Sequence, residues 1–303
     1  MAVARAQAVV NGVTINLAYN ATSKKWSGSG SAPTKSSYPK GGYYNVTLTA
    51  WDEAGNKTTV DATHTTLGSA LRLVVKELTA PVLTITYPSA SARIINNKPA
   101  ITWTVTDNDS GVNPNTIGIT IDSGTKITGT SITKEAVSEG YKCTYTPGSA
   151  LSDGSHTIKV DASDYDGNAA TQKSVTFIID TIPPTLNISA PAEGVKTNNA
   201  TVTVSGKTND ATSAPVTLTV KLNNGTAENV TVGTDGAFNK SLTLVEGSNT
   251  ITVVATDAAG KTTTITRTVV LDTHAPAFSD IVITPNPVNV GVSFTVSVTI
   301  TDT

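Results

Sequence analysis

The 303-residue sequence predicts an all-β chain: tandem β-sandwich domains in an elongated array. Three observations predict it. Roughly one residue in six is Thr, and Val and Ile are abundant, which suits half-buried pleated surfaces better than helices. A 15-residue segment recurs three times without a gap. A proline junction also recurs three times, with a period of about 90 to 105 residues, the size of one sandwich and far above a solenoid repeat.

The recurring segment reads "GYYNVTLTAWDEAGN" from Gly42, "GSHTIKVDASDYDGN" from Gly154 and "GSNTITVVATDAAGK" from Gly247. Ala50, Ala162 and Ala255 hold one column, Asp52, Asp164 and Asp257 the next, and Gly55, Gly167 and Gly260 a third. Val46, Leu48 and Ala50 alternate with Thr47, Thr49 and Trp51, the period of a strand with one buried face. Asp52-Glu53-Ala54-Gly55 then fits a type I turn, with Asp first to accept backbone N–H groups and Gly fourth to take a left-handed conformation. The three Asp/Gly pairs are read as structural turn residues of a hairpin.

The junctions "ELTAP", "DTIPP" and "DTHAP" end at Pro81, Pro184 and Pro276. Each carries an acid four positions before the proline: Glu77, Asp180 and Asp272. Each is followed 26 residues later by another aspartate: Asp107, Asp210 and Asp302. These landmarks divide the chain into a variant first domain (1–77), two sandwich domains (78–181 and 182–273) and the opening strands of a fourth (274–303). Two strands cannot close a core, so the expectation is that the natural chain continues, with completion of a partner's sheet as the alternative.

Charge is nearly balanced, 21 Lys and Arg against 23 Asp and Glu, with no run of like charge. That predicts no nucleic-acid groove and no anionic-membrane surface. No stretch approaches the roughly 18 apolar residues of a membrane span. The N-terminus lacks the apolar core of a secretion signal, so with Met1 as the natural start the product is expected to be assembled in the cytoplasm. Cys143 is the sole cysteine, alternating with Tyr141 and Tyr145, and reads as a small buried hydrophobe. His64, His156 and His274 fall in separate domains, without zinc-ligand spacing. His156 shares a column with Tyr44 and Asn249 and reads as a strand residue. No nucleophile elbow, phosphate loop or dinucleotide fingerprint is present in the sequence, which predicts a protein that is not an enzyme.

The "A-x-D-x-x-G-N/K" turns, the "D-T-x-x-P" junctions, "TDNDSGVNPNTIGITIDSG" at 106–124 and "DGAFNKSLTLVEGSNTITVVATDAAG" at 235–260 together resemble a tandem array of bacterial immunoglobulin-like domains over residues 78–303. Such domains serve as spacers and binding modules in many settings. The first domain departs from the pattern. An Asn11-Gly12 hairpin replaces the proline-to-Asp block, and about ten extra residues surround "HTTLGSALRL". As a whole the chain is similar to Ig-like repeat proteins encoded among tail genes of phages and prophages of Gram-positive gut bacteria. That resemblance implies a structural and adhesive virion protein of the tail or baseplate. It would dock on other virion proteins through residues 1–77 and assist attachment to a host-surface glycan or protein. A bacterial cell-surface adhesin or stalk, or a capsid decoration protein, are the alternatives.

Two candidate sites stand out. Six of the eleven Trp and Tyr residues lie in the first domain, and Tyr43, Tyr44 and Trp51 are the candidate partner interface. Trp51 occupies the column held by Ser163 and Thr256; either it presents an aromatic to a partner or the extra residues cover it. The second candidate is calcium, held by the clustered hard oxygens of Asp107 and Asp109 in "TDNDSG" and of Asp164 and Asp166 in "DASDYDGN". The third copy, "TDAAG", has lost the second carboxylate, which argues against a metal there. No other cofactor is expected.

Overall fold

The computed structural model describes residues 2–302, and nearly all of its regular structure is strand. The chain forms two compact units: residues up to Ala92 together with Asn97–Ile179, and Arg93–Asn96 together with residues from Asp180 onward.

The first unit begins with a mixed-length antiparallel sheet. Its order runs Lys25–Ser27, Val13–Asn20, Val3–Val10, Tyr44–Asp52, Lys57–Val60, and Arg72–Leu73 pairs with the start of Tyr44–Asp52. Asn11 and Gly12, at φ 47° and 79°, make the tight connection between Val3–Val10 and Val13–Asn20 that an Asn-Gly pair favours. Ala6, Ala8 and Val10 lie opposite Ala50, Leu48 and Val46, so their side chains share one face. Ala6, Leu17, Trp26, Leu48, Ala50 and Val60 line an open apolar hollow of about 330 Å³ on this sheet. The extra residues of the first domain supply a short 3-10 helix, Gly68–Leu71, whose Leu71 is buried.

A β-sandwich follows within the same unit. Thr133–Val137, Gly140–Tyr145, Ile101–Thr106 and Val82–Tyr87 form one sheet, and Gly118–Ile121, Gly154–Asp161 and Lys173–Ile179 lie side by side in the other. Ile101, Trp103 and Val105 alternate with half-buried Thr and are fully buried, facing a core that includes Ile119, Ile158, Val160, Phe177 and Ile179. Cys143 sits directly opposite Trp103 in register and is equally buried. Burial pushes its thiol up to about 11.

The second unit repeats the design. Thr185–Ala190, Thr201–Asn209 and Ala237–Thr243 face a sheet ordered Val195–Thr197, Thr262–Leu271, Gly247–Thr256, Thr217–Leu222, Glu228–Val230. Ile188, Val204, Leu218, Val220, Phe238, Ile251, Val253 and Val269 fill the space between. Gly206 is buried where Ile188 and Phe238 flank it in register; a Cβ there would run into the Asn187 carbonyl. The unit also holds a hairpin, Ala277–Thr284 paired with Thr295–Thr301, on which Phe278, Val282, Phe294 and Val296 are exposed.

Candidate functional site

The recurring Asp-x-x-Gly turns share most of their bonds. Gly55 N–H donates to the Asp52 carbonyl at 3.1 Å and Gly260 N–H to the Asp257 carbonyl at 3.2 Å, whereas Gly167 N–H donates to the Asp164 carboxylate at 2.6 Å. One carboxylate oxygen takes the backbone amide four residues on, from Asn56 at 2.9 Å, Asn168 at 2.8 Å and Lys261 at 2.9 Å. Gly55, Gly167 and Gly260 have φ of 87°, 98° and 90°, the left-handed region where a side chain is strained.

Folding brings the junction acids to two of these turns. In the first unit, carboxylate oxygens of Glu77, Asp107 and Asp164 lie within 4.8 Å of one another. In the second unit, Asp180, Asp210 and Asp257 do the same, and all three are buried. The acid before the proline, the aspartate 26 residues after it and the turn aspartate therefore meet in space in both repeats. Glu77 and Asp210 carried that signal in their spacing, although the sequence reading assigned them no site.

Of the four calcium candidates, the structure brings Asp107 and Asp164 together and gives Asp109 and Asp166 other work. Asp109 Oδ1 accepts the Ser36 N–H at 2.8 Å, and Asp166 Oδ2 accepts the Glu77 N–H at 3.0 Å. Both bonds tie the first domain to the loops of the sandwich that follows. Tyr38 and Tyr165 stack across the same boundary, with ring centroids 4.1 Å apart. Asp164 is itself well supplied with donors, from Gly167 and Asn168 N–H and, at 2.7 Å on Oδ2, the Asn168 side-chain amide. Burial raises the pKa of Glu77; the Ser110 hydrogen bond opposes this, and the nearby Asp107 and Asp109 charges add to it. A third group, Glu246, Asp272 and His274, meets near the start of the last hairpin, with Glu246 also accepting from Thr273.

The aromatic candidates divide differently. Tyr44 is buried, its hydroxyl donating to the Lys35 carbonyl at 3.1 Å, so it belongs to the packing of the first domain rather than to an open surface. Tyr43 is half-buried beneath the Arg72 guanidinium, 4.6 Å from the ring centroid. Trp51 is half-buried too, and what lies over it is Arg5 from the neighbouring strand, at 3.9 Å. The extra residues around Gly68 pair instead with the opposite end of that strand.

Known protein families match three stretches of the chain. Two models described as bacterial Ig-like domains match residues 3–67 and 87–181. The chain carries tandem bacterial Ig-like domains. A model described as glucodextranase, domain B, matches residues 184–273 of the Ig-like array. Bacillopeptidase F of Bacillus subtilis (strain 168) is 30% identical over 139 residues, 46% of this chain and 9% of that protein, so the chain spans about a tenth of this relative. Among solved structures, the fibronectin(III)-like modules of Clostridium thermocellum CbhA are 18% identical over 63% of this chain and 94% of theirs, with a TM-score of 0.37. Sidekick-1 immunoglobulin domains 1–5 are 12% identical over 97% and 60%, with a TM-score of 0.38. This domain content is that of a structural or adhesive module. Among the described residues no helix is long and apolar enough to cross a membrane.

Proposed function

We propose that the Ig-like array is a spacer and attachment module of a phage or prophage tail, with residues 1–77 docking on the particle and the later domains extending toward a host surface. The observation that carries a mechanical role is the joint inside the first unit. The bonds from Ser36 and Glu77 to Asp109 and Asp166, with the Tyr38–Tyr165 stack, hold two β domains through both backbone and side chains. A spacer that transmits position needs a joint of this kind, because a flexible linker would let its modules reorient independently. Weak contacts made by many copies on one particle would then add through avidity.

A second reading is favoured by a different observation. Residues 184–273 match a domain of a glucodextranase, and part of the chain resembles part of bacillopeptidase F. Ig-like arrays of this type therefore occur in larger bacterial enzymes, where this chain would position a catalytic domain. Fractionating the producing cells with an antibody to residues 182–273 separates the readings. Recovery with purified particles supports the tail role. Recovery in the cell envelope, or in the medium on a longer polypeptide with hydrolase activity, replaces it.

A further inference from the structure

A sheet with one apolar face is stable when that face meets a second layer. In the first domain the cover is partial. The Gly28 and Gly30 backbones lie against Ile15, and Ala8 and Val10 are buried. Farther along the same strands the face opens into the hollow of about 330 Å³ that Leu17, Trp26, Leu48 and Val60 help to line. Val3 and Thr58, also lining it, are exposed.

The hairpin of Ala277–Thr284 and Thr295–Thr301 has the converse need, because two strands alone are at best marginally stable in water. Register sets Phe278 opposite Ile300 and Ile283 opposite Val296, and alternation puts Val298 on the same face. Ser279, Thr284 and Thr299 lie on the other face. All five apolar residues are exposed, from 40% at Val298 to 66% at Phe278, and among the described residues nothing covers them.

Charge distinguishes the two surfaces as well. Residues 1–77 carry eight Lys and Arg against four Asp and Glu, whereas residues 272–303 carry three Asp and no Lys or Arg. Lys25 and Lys57 stand on the two outermost strands of the first-domain sheet, each next in sequence to a residue lining the hollow. Asp280 sits in the bulge of the hairpin, where the register shifts between Ser279 and Val282.

We propose that the apolar face of the hairpin in one copy of this chain packs on the open face of the first domain in a second copy, supplying its missing layer. The strands match in length: 8 and 7 residues in the hairpin, 8 and 9 in Val3–Val10 and Tyr44–Asp52. Sheets packed in this way lie about 10 Å apart with their side chains interdigitated. The contact joins different surfaces of the two copies, so it passes from copy to copy instead of closing as a two-fold dimer. It does not rest on the tail reading, since the first copy of a series keeps its own hollow for another partner.

The test is sedimentation velocity of the full chain across about 1–100 μM, where a contact of modest area is populated. The mass is expected to rise with concentration past that of a dimer. Val3→Glu with Thr58→Glu disables the open face, and Phe278→Lys with Ile300→Lys disables the hairpin, each by setting like charge against its counterpart. Each variant alone is expected at the monomer mass of 31.1 kDa. Their equimolar mixture should form a dimer that grows no further, because one intact hairpin meets one intact face. A parent that stays monomeric overturns the proposal, as does a mixture without dimer. So does self-association of either variant alone, the mark of hairpin on hairpin or face on face. All four positions are exposed, which spares the fold of each copy. Should a variant still fail to fold, hydrogen exchange of the unsubstituted chain at low and high concentration decides. Slowing is expected in both Val13–Asn20 and Ala277–Thr284; slowing in neither, or in only one, overturns the proposal.

Discussion

The Arg5 guanidinium lies over the ring of Trp51, 3.9 Å from its centroid, because the regular antiparallel register that runs from Val10 opposite Val46 sets the two residues directly opposite on adjacent strands. The contact explains how an aromatic stands on the polar face of this sheet. An exposed cation over an indole contributes about 0.5–1 kcal/mol. Arg5→Ala should therefore lower unfolding stability by that amount in urea, and Arg5→Lys by less. If Trp51 also meets a partner, Arg5→Ala should raise its accessibility to fluorescence quenchers.

The joint inside the first unit rests on Asp109 and Asp166. Replacing both with Ala removes acceptors for two part-buried N–H groups, at about 1–3 kcal/mol each. The expected result in scanning calorimetry is that residues 1–77 melt ahead of the sandwich they adjoin, where the parent shows one transition for the pair. Unchanged melting would remove the joint from the account.

His156 adds a pH dependence. Its Nδ1 faces Asp122 Oδ2 and its Nε2 the Ser152 carbonyl, both at 2.8 Å. Burial works against its charged form, but the Ser152 and Asp122 acceptors outweigh it and the pKa is raised. Asp122 is lowered: burial again opposes, and the Thr157 N–H and His156 prevail. A raised histidine contributes stability in full below its unfolded value of about 6.5 and loses it as pH rises through the folded value. A lowered aspartate contributes above its unfolded value of about 3.9 and loses it as pH falls through the folded value. The stability difference between parent and His156→Asn should thus be largest from about pH 4 to 6.5 and shrink on both sides. Denaturant titrations across that range check it, and a flat difference would contradict it.

Cys143, fully buried opposite Trp103 with its thiol pushed up to about 11, should not react with a thiol reagent at pH 8 in the native chain and should react fully once denatured.

Gly206→Ala should cost about 1–3 kcal/mol, as overpacking does, since the added methyl meets the Asn187 carbonyl and the Phe238 ring in a closed core. Thermal melting of the second unit reads the loss directly.

Much of the fold was legible because its signals are local. The alternation at Ile101–Thr106, the Asn11-Gly12 turn and the recurring Asp52, Asp164 and Asp257 turns depend on neighbours in sequence, and strands and turns follow from them. The candidate site is a long-range property. Asp180 and Asp257 are 77 positions apart in the chain, and only sheet pairing brings them within 4.8 Å. Their recurrence at fixed spacing was visible; their convergence was not. Sequence reasoning set aside the "TDAAG" copy for having too few carboxylates in one loop, although its partners come from two other segments. Tyr44 failed as an interface residue for a similar reason: its hydroxyl partner, the Lys35 carbonyl, lies in an irregular loop with no periodicity to read.

The central claim is that acids from separate landmarks of the repeat meet in one place. The most direct measurement is a crystal structure of the full chain at a resolution that separates carboxylate oxygens. The account predicts oxygens of Asp180, Asp210 and Asp257 within about 4.8 Å of one another, and those of Glu77, Asp107 and Asp164 likewise. Either trio turned apart would contradict it.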